Sequence, residues 1–346
     1  MMERLRIGIV GLGMAVTPHA RGLVDLADRV EVVHAFSPSA ERRARFGESF
    51  PFPLCDSLET ILDDTSVEAV LVLTPANTHL DIARRCAQAG KHVLLEKPVE
   101  ITTARAQDLV AICDAAGVTL GIVLQHRFKP AAETLAGHLA SGDMGTMIGC
   151  STVIRLWRPQ SYYDEPGRGS FARDGGGVLI SQGIHTLDLM LSLAGPIVDV
   201  TGHALTSAVH RMETEDMVCA VARFANGAFG TIDATTAAYP GFPERIELIC
   251  RNATASLSGT ALEIAWHDGR RVNVAAEAGA GGTGADPMAF THDHHRAVMA
   301  DFVEAVRQGR PPRVTGVEAL KVHRLIDALI AAGATQGPVS VAAASR

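Results

Sequence analysis

The chain has 346 residues, a formal net charge of −7, 47% hydrophobic residues and 20% charged residues. That length houses two domains with full cores, and the balance of residues is that of a globular protein. No concentrated run of Lys or Arg interrupts the negative balance, which argues against nucleic acid or an anionic membrane as partner.

Residues 6–10 read as a buried strand and 17–27 as the helix after it. A second strand over 30–36 leads into a helix beginning at 40–46. Strands at 69–74 and 92–95 flank a helix over 80–89. Residues 103–116 are helical again, and 118–123 return to strand. Strict alternation of strand and helix implies a parallel sheet covered on both faces, so residues 1–124 form a doubly wound Rossmann domain. After Leu124 the rhythm changes. A helix over 130–141 precedes strands with alternating residues at 147–156, 198–205, 217–224, 228–235, 245–250 and 253–258. Turn residues at Asn226-Gly227 and Arg251-Asn252 predict hairpins, hence a largely antiparallel open sheet in a C-terminal α/β domain over 125–346. The Gly- and Ala-rich stretch 275–286 reads as a flexible loop, and helices follow at 294–307 and 317–332.

No signal peptide is read at the start, and no apolar run approaches the length of a membrane span. The cysteines (Cys55, Cys86, Cys113, Cys150, Cys219, Cys250) are scattered without a CxxC pair. That pattern fits buried reduced thiols and a cytoplasmic protein.

Gly11-Leu12-Gly13-Met14-Ala15-Val16 follows the first strand and opens the first helix. Gly11 permits the tight turn, and Gly13 has no side chain to hold a pyrophosphate off the helix N-terminus. Val16 stands where a third glycine is usual. Strand before and helix after favour a dinucleotide turn over a glycine-rich turn of another α/β protein. The second strand ends without a carboxylate for a ribose 2′-hydroxyl, in Phe36-Ser37-Pro38-Ser39, with Arg42 and Arg43 close behind. A nearby arginine suits a 2′-phosphate, unless both are solvated helix charges. NADP is favoured and NAD stays open.

Further motifs follow in order: Thr74-Pro75-Ala76-Asn77-Thr78-His79, Glu96-Lys97-Pro98, Gly175-Gly176-Gly177, Gly183-Ile184-His185 and Asp188. With Gly11-Leu12-Gly13, the set resembles the Gfo/Idh/MocA oxidoreductases over essentially the whole chain. Gln125-His126-Arg127-Phe128-Lys129-Pro130, Tyr162-Tyr163 and Gln182-Gly183-Ile184-His185 resemble the branch of that family that includes UDP-N-acetylglucosaminuronate 3-dehydrogenases. The resemblance implies an NAD(P)-dependent enzyme acting on CH–OH groups. It puts the cofactor against Gly11, Gly13, Met14, Ser37, Arg42, Thr74, Pro75, Asn77, His79, Glu96 and Lys97.

Pro98 keeps Lys97 out of helical geometry and extended. The resemblance implies that Lys97 reaches the sugar hydroxyl and that His185 faces the reacting carbon. The two are expected to share the proton transfer that accompanies hydride transfer, in an order the sequence leaves open. Many relatives carry Asp where Ser181 stands here, which leaves Gln182 to orient His185 or the substrate. Arg155, Arg158, Tyr162, Tyr163 and Arg168 make a basic, aromatic segment suited to a sugar, uronate or nucleotide sugar, or simply a solvated loop. His126, Arg127, Arg158, Tyr163, Ser181, Gln182, His185 and His295 are the expected substrate residues.

His292-Asp293-His294-His295 holds metal-ligand types, but adjacent residues rarely converge on one ion, so no metal is expected. Thr291 or Asp293 would instead cap the next helix. A homodimer or homotetramer is expected through the second sheet, with an outward apolar face at Val218, Ala220 and Ala222. Three other readings stay open: an NAD-dependent glycosidase working by transient oxidation; a non-catalytic NAD(P)-binding sensor, which would need neither Lys97 nor His185; and a dimeric scaffold whose open sheet face serves assembly alone, which would leave the dinucleotide motif unexplained.

Overall fold

The computed structural model describes residues 3–277, 291–335 and 337–341. Its elements begin β1 (Leu5–Val10), α1 (Val16–Asp25), β2 (Val30–Phe36), α2 (Ala40–Ser49), β3 (Leu54–Cys55) and α3 (Leu58–Asp63). Then come β4 (Ala69–Val72), α4 (His79–Gln88), β5 (His92–Glu96), α5 (Thr103–Ala115), β6 (Leu120–Val123) and α6 (Pro130–Ser141). The middle holds β7 (Met147–Arg155), α7 (Gln160–Tyr163), α8 (Phe171–Asp174), α9 (Ile184–Ala194), β8 (Ile197–Leu205), β9 (Met217–Phe224) and β10 (Phe229–Thr235). The remainder is β11 (Arg245–Cys250), β12 (Ala253–Ser258), β13 (Ala261–Trp266), β14 (Arg271–Val274), α10 (Asp293–Gln308), α11 (Gly316–Ala332) and β15 (Val339–Ser340).

The chain divides into two compact units, Met1–Gln125 with His292–Leu320, and His126–Thr291 with Lys321–Arg346. The segment from His292 to Leu320 therefore groups with the first unit, although its place in the sequence puts it in the second domain. In that unit α10 packs on α1, Phe302 lies against Gly121, and Thr315 bridges to Gly121. The glycine- and alanine-rich stretch lies outside the described residues from 278 onward.

Among the described residues, the first unit holds a parallel sheet in the order β3-β2-β1-β4-β5-β6. Its central strands are buried on both faces: every residue of β4 is inside, which is why it reads Ala-Val-Leu-Val without alternation. The strand order reverses direction beside β1, the place where doubly wound sheets open a crevice at their carboxyl edge. The short β3 and α3 lie in a stretch that the apolar pattern left blank.

The second unit's sheet runs β14-β13-β12-β11-β7-β10-β9-β8-β15. All pairs are antiparallel except β7 with β10. Both expected hairpins form, β9 to β10 around Asn226-Gly227 and β11 to β12 around Arg251-Asn252. Helices α6 and α9 cover one face. Val218, Ala220 and Ala222 point to that covered face and are buried, so they are not the outward surface. Alternation separates two faces but does not say which one the helices take. The open face instead carries Val221, Phe229 and Ile249 among charged residues.

One described stretch, Phe171–Ala194, is apolar and long enough to cross a membrane, contrary to the expectation from the sequence. Of its most apolar window 61% is buried, and α9 packs against β7 and β11 as a core helix does.

Candidate active site

In the first unit the dinucleotide motif forms a tight turn. Gly11 has φ +106°, and a Cβ on it would fall 2.7 Å from the Leu73 carbonyl carbon, so a side chain is excluded by strain and by backbone. Gly13 is different. A Cβ there would meet nothing nearer than the Arg42 Nη1 at 4.0 Å, so the protein's own packing does not require glycine at this position. The helix that follows has no side-chain cap, as Ala15 precedes α1; α4, α6, α9 and α10 share this, whereas Ser39, Ser57 and Thr102 cap α2, α3 and α5. Open space at Gly13, just before a helix start without a side-chain cap, fits a dinucleotide pyrophosphate. Met14 is exposed at the turn, and Val16, in the third-glycine position, is buried.

At the end of β2, Ser37 is buried and its carbonyl accepts from Arg43 Nη1 at 2.6 Å. Arg43 is thus partly spent on the backbone. The Arg42 guanidinium is exposed and, among the described residues, has no hydrogen-bond or ion-pair partner. After β4, the Thr78 hydroxyl lies 2.8 Å from Thr74 Oγ1 and donates to the Pro75 carbonyl at 2.7 Å. The Asn77 carbonyl is reached by Arg105 at 3.5 Å. His79 is wholly buried, with Nε2 2.8 Å from the Thr74 carbonyl and Nδ1 3.0 Å from that of Pro98. Burial pushes its pKa down although the carbonyls favour the charged ring. Its ring therefore joins two loops and is not free to meet a cofactor.

Glu96 ends β5. His19 Nε2 donates to its Oε1 at 2.8 Å, and the Lys97 backbone N–H donates to its Oε2 at 2.9 Å. Burial pushes the carboxyl pKa up, but the His19 hydrogen bond and the charges of His19, Lys97 and His295 prevail and hold it at about 2. Lys97 is half-buried and the Lys97–Pro98 peptide is cis. His295 of α10 packs edge-on to His19 at 4.9 Å, and burial lowers its pKa to about 3. His19, Glu96 and His295 offer three metal-ligand atoms within 4.8 Å of one another. Glu96 already accepts two N–H groups with Lys97 alongside, so His19 and Glu96 read as a hydrogen-bonded pair with His295 packed against it rather than as a dication site. The sequence reading missed His19, whose signal is a histidine in the apolar stripe Val16, His19, Ala20, Leu23. The His292–His295 run does not converge on itself. His292 pairs with Asp25 at 2.8 Å, and as the residue preceding α10 it makes no side-chain cap hydrogen bond itself.

In the second unit, His185 lies in the first turn of α9 after a wide π-type turn over Leu179–Gly183, a geometry often found at functional sites. Gly177 is required by packing, since a Cβ on it would fall 1.7 Å from the Glu215 carbonyl oxygen. The His126 ring sits 5.0 Å from that of His185, and its Nδ1 is 3.7 Å from Glu244 Oε2. Lys129 is buried near Glu244 and Glu277; burial lowers its pKa, and the two acids oppose that shift. Lys129 belongs to the Gln125–Pro130 motif, but Glu244, just before β11, carried no sequence signal, because only the fold brings it to Lys129 and His126.

Four expected substrate residues have other partners. Arg127 forms a buried two-point pair with Asp188, at 2.8 and 2.6 Å. The Tyr163 hydroxyl is 2.8 Å from Thr236 Oγ1, and burial pushes its pKa up despite that bond. Arg158 is buried with Nη1 on the Trp157 carbonyl at 2.7 Å. The Ser181 hydroxyl points to the Gly176 carbonyl at 3.5 Å. Gln182 donates to the Tyr162 hydroxyl at 3.4 Å, and Arg168 covers the Tyr162 ring at 4.6 Å.

These two sets of residues lie in a chain with clear relatives. The oxidoreductase family model with an NAD-binding Rossmann fold (GFO_IDH_MocA) matches residues 5–123, and the GFO/IDH/MocA C-terminal domain matches residues 133–256. The chain is 27% identical to the myo-inositol 2-dehydrogenase of Thermotoga maritima, over 90% of this chain and 91% of that one. It is 26% identical to the D-apiose dehydrogenase of Paraburkholderia graminis, over 94% and 87%. The structure of the WlbA dehydrogenase from Bordetella pertussis, in complex with NADH and UDP-GlcNAcA, has a similar fold, with a TM-score of 0.85 at 24% identity over 99% of each chain. This chain belongs to the Gfo/Idh/MocA family of oxidoreductases, with the family's NAD-binding Rossmann domain and its C-terminal domain.

Proposed function

We propose that the protein is an NAD(P)-dependent dehydrogenase acting on a hydroxyl or keto carbon of a sugar, uronate or nucleotide sugar, with Lys97 and His185 as its acid–base residues. The observation that carries this reading is the open space at Gly13 in the glycine turn just before the uncapped start of α1. A bound nicotinamide dinucleotide would supply the hydride acceptor or donor. The chain's own residues do the rest: the Gly11–Gly13 turn and α1 hold the pyrophosphate, and Lys97 and His185 move the hydroxyl proton. His126, next to His185, and Gln182 are the proposed substrate contacts of the second unit. Arg127 and Tyr163 act through packing, given their partners Asp188 and Thr236.

The exposed Arg42 beside Gly13, without a partner for its guanidinium among the described residues, supports NADP over NAD, since a 2′-phosphate would give it one. The names of the relatives, a cyclic polyol dehydrogenase, a sugar dehydrogenase and a dehydrogenase bound to a nucleotide sugar, support a polyhydroxylated substrate. A homodimer or homotetramer through the open face of the second sheet, and a cytoplasmic location, complete the proposal. Turnover of myo-inositol, D-apiose and UDP-N-acetylglucosaminuronate with NAD and with NADP tests it. Reduction of either cofactor by one of these substrates is expected, faster with NADP. Absence of calorimetric binding of both cofactors would overturn it.

A further inference from the structure

The turn from Glu96 to Val99 is gripped from two helices by buried imidazoles. From α4, His79 Nδ1 lies 3.0 and 3.2 Å from the Pro98 and Val99 carbonyls. From α1, His19 reaches Glu96, and the same carboxylate accepts the N–H of Lys97. Lys97 is the half-buried residue between these two anchors.

His19 sits where a helix of this pattern would ordinarily bury an aliphatic side chain. Its side chain is wholly buried, and among the described residues its Nδ1 has no hydrogen-bond partner. An unsatisfied buried nitrogen is destabilising, so stability alone would favour leucine. What the histidine adds is the Nε2–H that holds Glu96. Its ring is kept from swinging by His295, which α10 can bring within contact because residue 22 is glycine. A Cβ at Gly22 would fall 2.5 Å from Met299 Cε and 3.2 Å from the Arg296 Cα.

We infer that His19 is a positioning residue for Lys97: through Glu96 it ties the lysine's turn to the helix that opens the dinucleotide turn. The inference rests on the reading of Lys97 as an acid–base residue. His19 itself would touch neither substrate nor nicotinamide. Its contribution is to fix the Lys97 backbone, where a misplacement of about 1 Å is worth roughly 10²-fold in rate.

The chain has only four lysines, Lys91, Lys97, Lys129 and Lys321, so reductive methylation with ¹³C-formaldehyde gives a sparse spectrum that needs no substrate. The Lys97 resonance is the one missing from Lys97→Arg. In His19→Leu that resonance should move or broaden while the Lys321 resonance stays in place. His19→Gln, whose amide N–H mimics Nε2–H, should restore it. If His19→Leu melts early, the near-isosteric Glu96→Gln removes an acceptor and must move the same resonance. An unmoved Lys97 signal in both variants, or no recovery in His19→Gln, overturns the inference. With a turned-over substrate, His19→Leu should lose roughly 10- to 100-fold in kcat with KM nearly unchanged, and His19→Gln should regain most of it. Lys97→Ala separates the two levels. If it is slow while His19→Leu is normal, the inference fails alone; if Lys97→Ala turns over normally, the reading of Lys97 fails with it.

Discussion

Arg127 and Asp188 face each other as a planar, two-point ion pair, with Nε to Oδ2 at 2.8 Å and Nη2 to Oδ1 at 2.6 Å, both residues buried. The pair joins the turn before α6 to the second turn of α9, the helix that carries His185. Removing one partner strands a charge. Asp188→Ala should therefore cost about 3–5 kcal/mol of stability. A urea titration checks this, and a loss below about 1 kcal/mol would mean the pair is not closed in solution.

The two glycines of the dinucleotide turn should separate folding from binding. Gly13→Asp puts a carboxylate into open space, so its melting curve should match that of the wild type while NADH binding is lost. Gly11→Ala meets the Leu73 backbone at positive φ and should lower the melting temperature through about 1–3 kcal/mol of strain. Retained NADH affinity in Gly13→Asp would refute the placement of the pyrophosphate.

Lys97→Ala and His185→Ala should each lose roughly 10²–10⁴-fold in turnover and keep their NADH affinity. Melting curves are the control, because a collapsed domain imitates lost catalysis. Impairment of Lys97→Ala alone would make lysine the base and leave His185 as a substrate contact. Near-normal turnover in both variants would end the assignment.

Stability should fall in acid earlier than carboxylates alone dictate. His295 is held at about 3 by burial, against an unfolded value of roughly 6.5. Below pH 6.5 the unfolded chain takes a proton that the folded one refuses. Stability then drops by up to about 1.4 kcal/mol per pH unit per such histidine until pH approaches 3. His79, also lowered by burial, acts in the same direction. Glu96 adds a second decline below about pH 4.5, since its folded pKa is held at about 2. Urea midpoints from pH 7.5 to 5 should fall, and less steeply in His295→Gln. An equal slope in wild type and variant would show that His295 does not titrate in this way.

Assembly is tested on the open face of the second sheet, where Phe229 and Ile249 pair in register with Gly149 and are 59% and 49% exposed. Phe229→Glu should shift the mass seen by light scattering toward the monomer and leave the melting of dilute protein unchanged. A wild-type monomer at high concentration would remove the oligomer from the proposal.

The chain's local patterns were enough to read the parallel sheet, the two hairpins and the ordered motifs, because each of these is written within a few neighbouring residues. An unalternating Ala-Val-Leu-Val in an alternating strand–helix series fits a strand buried on both sides, and glycines between strand and helix fit a turn. Partnership across the chain was not legible. Nothing near Arg127 announces that Asp188 will consume it, nor near Tyr163 that Thr236 will. His19 looks like a misplaced polar residue until the fold brings Glu96 to it across 77 positions of sequence. The outward face of β9 was misjudged for the same reason: a period of two is symmetric between the faces, and only the packing of α6 and α9 breaks that symmetry. Local periodicity sets which elements form, whereas burial and charge pairing depend on which surfaces the tertiary structure closes.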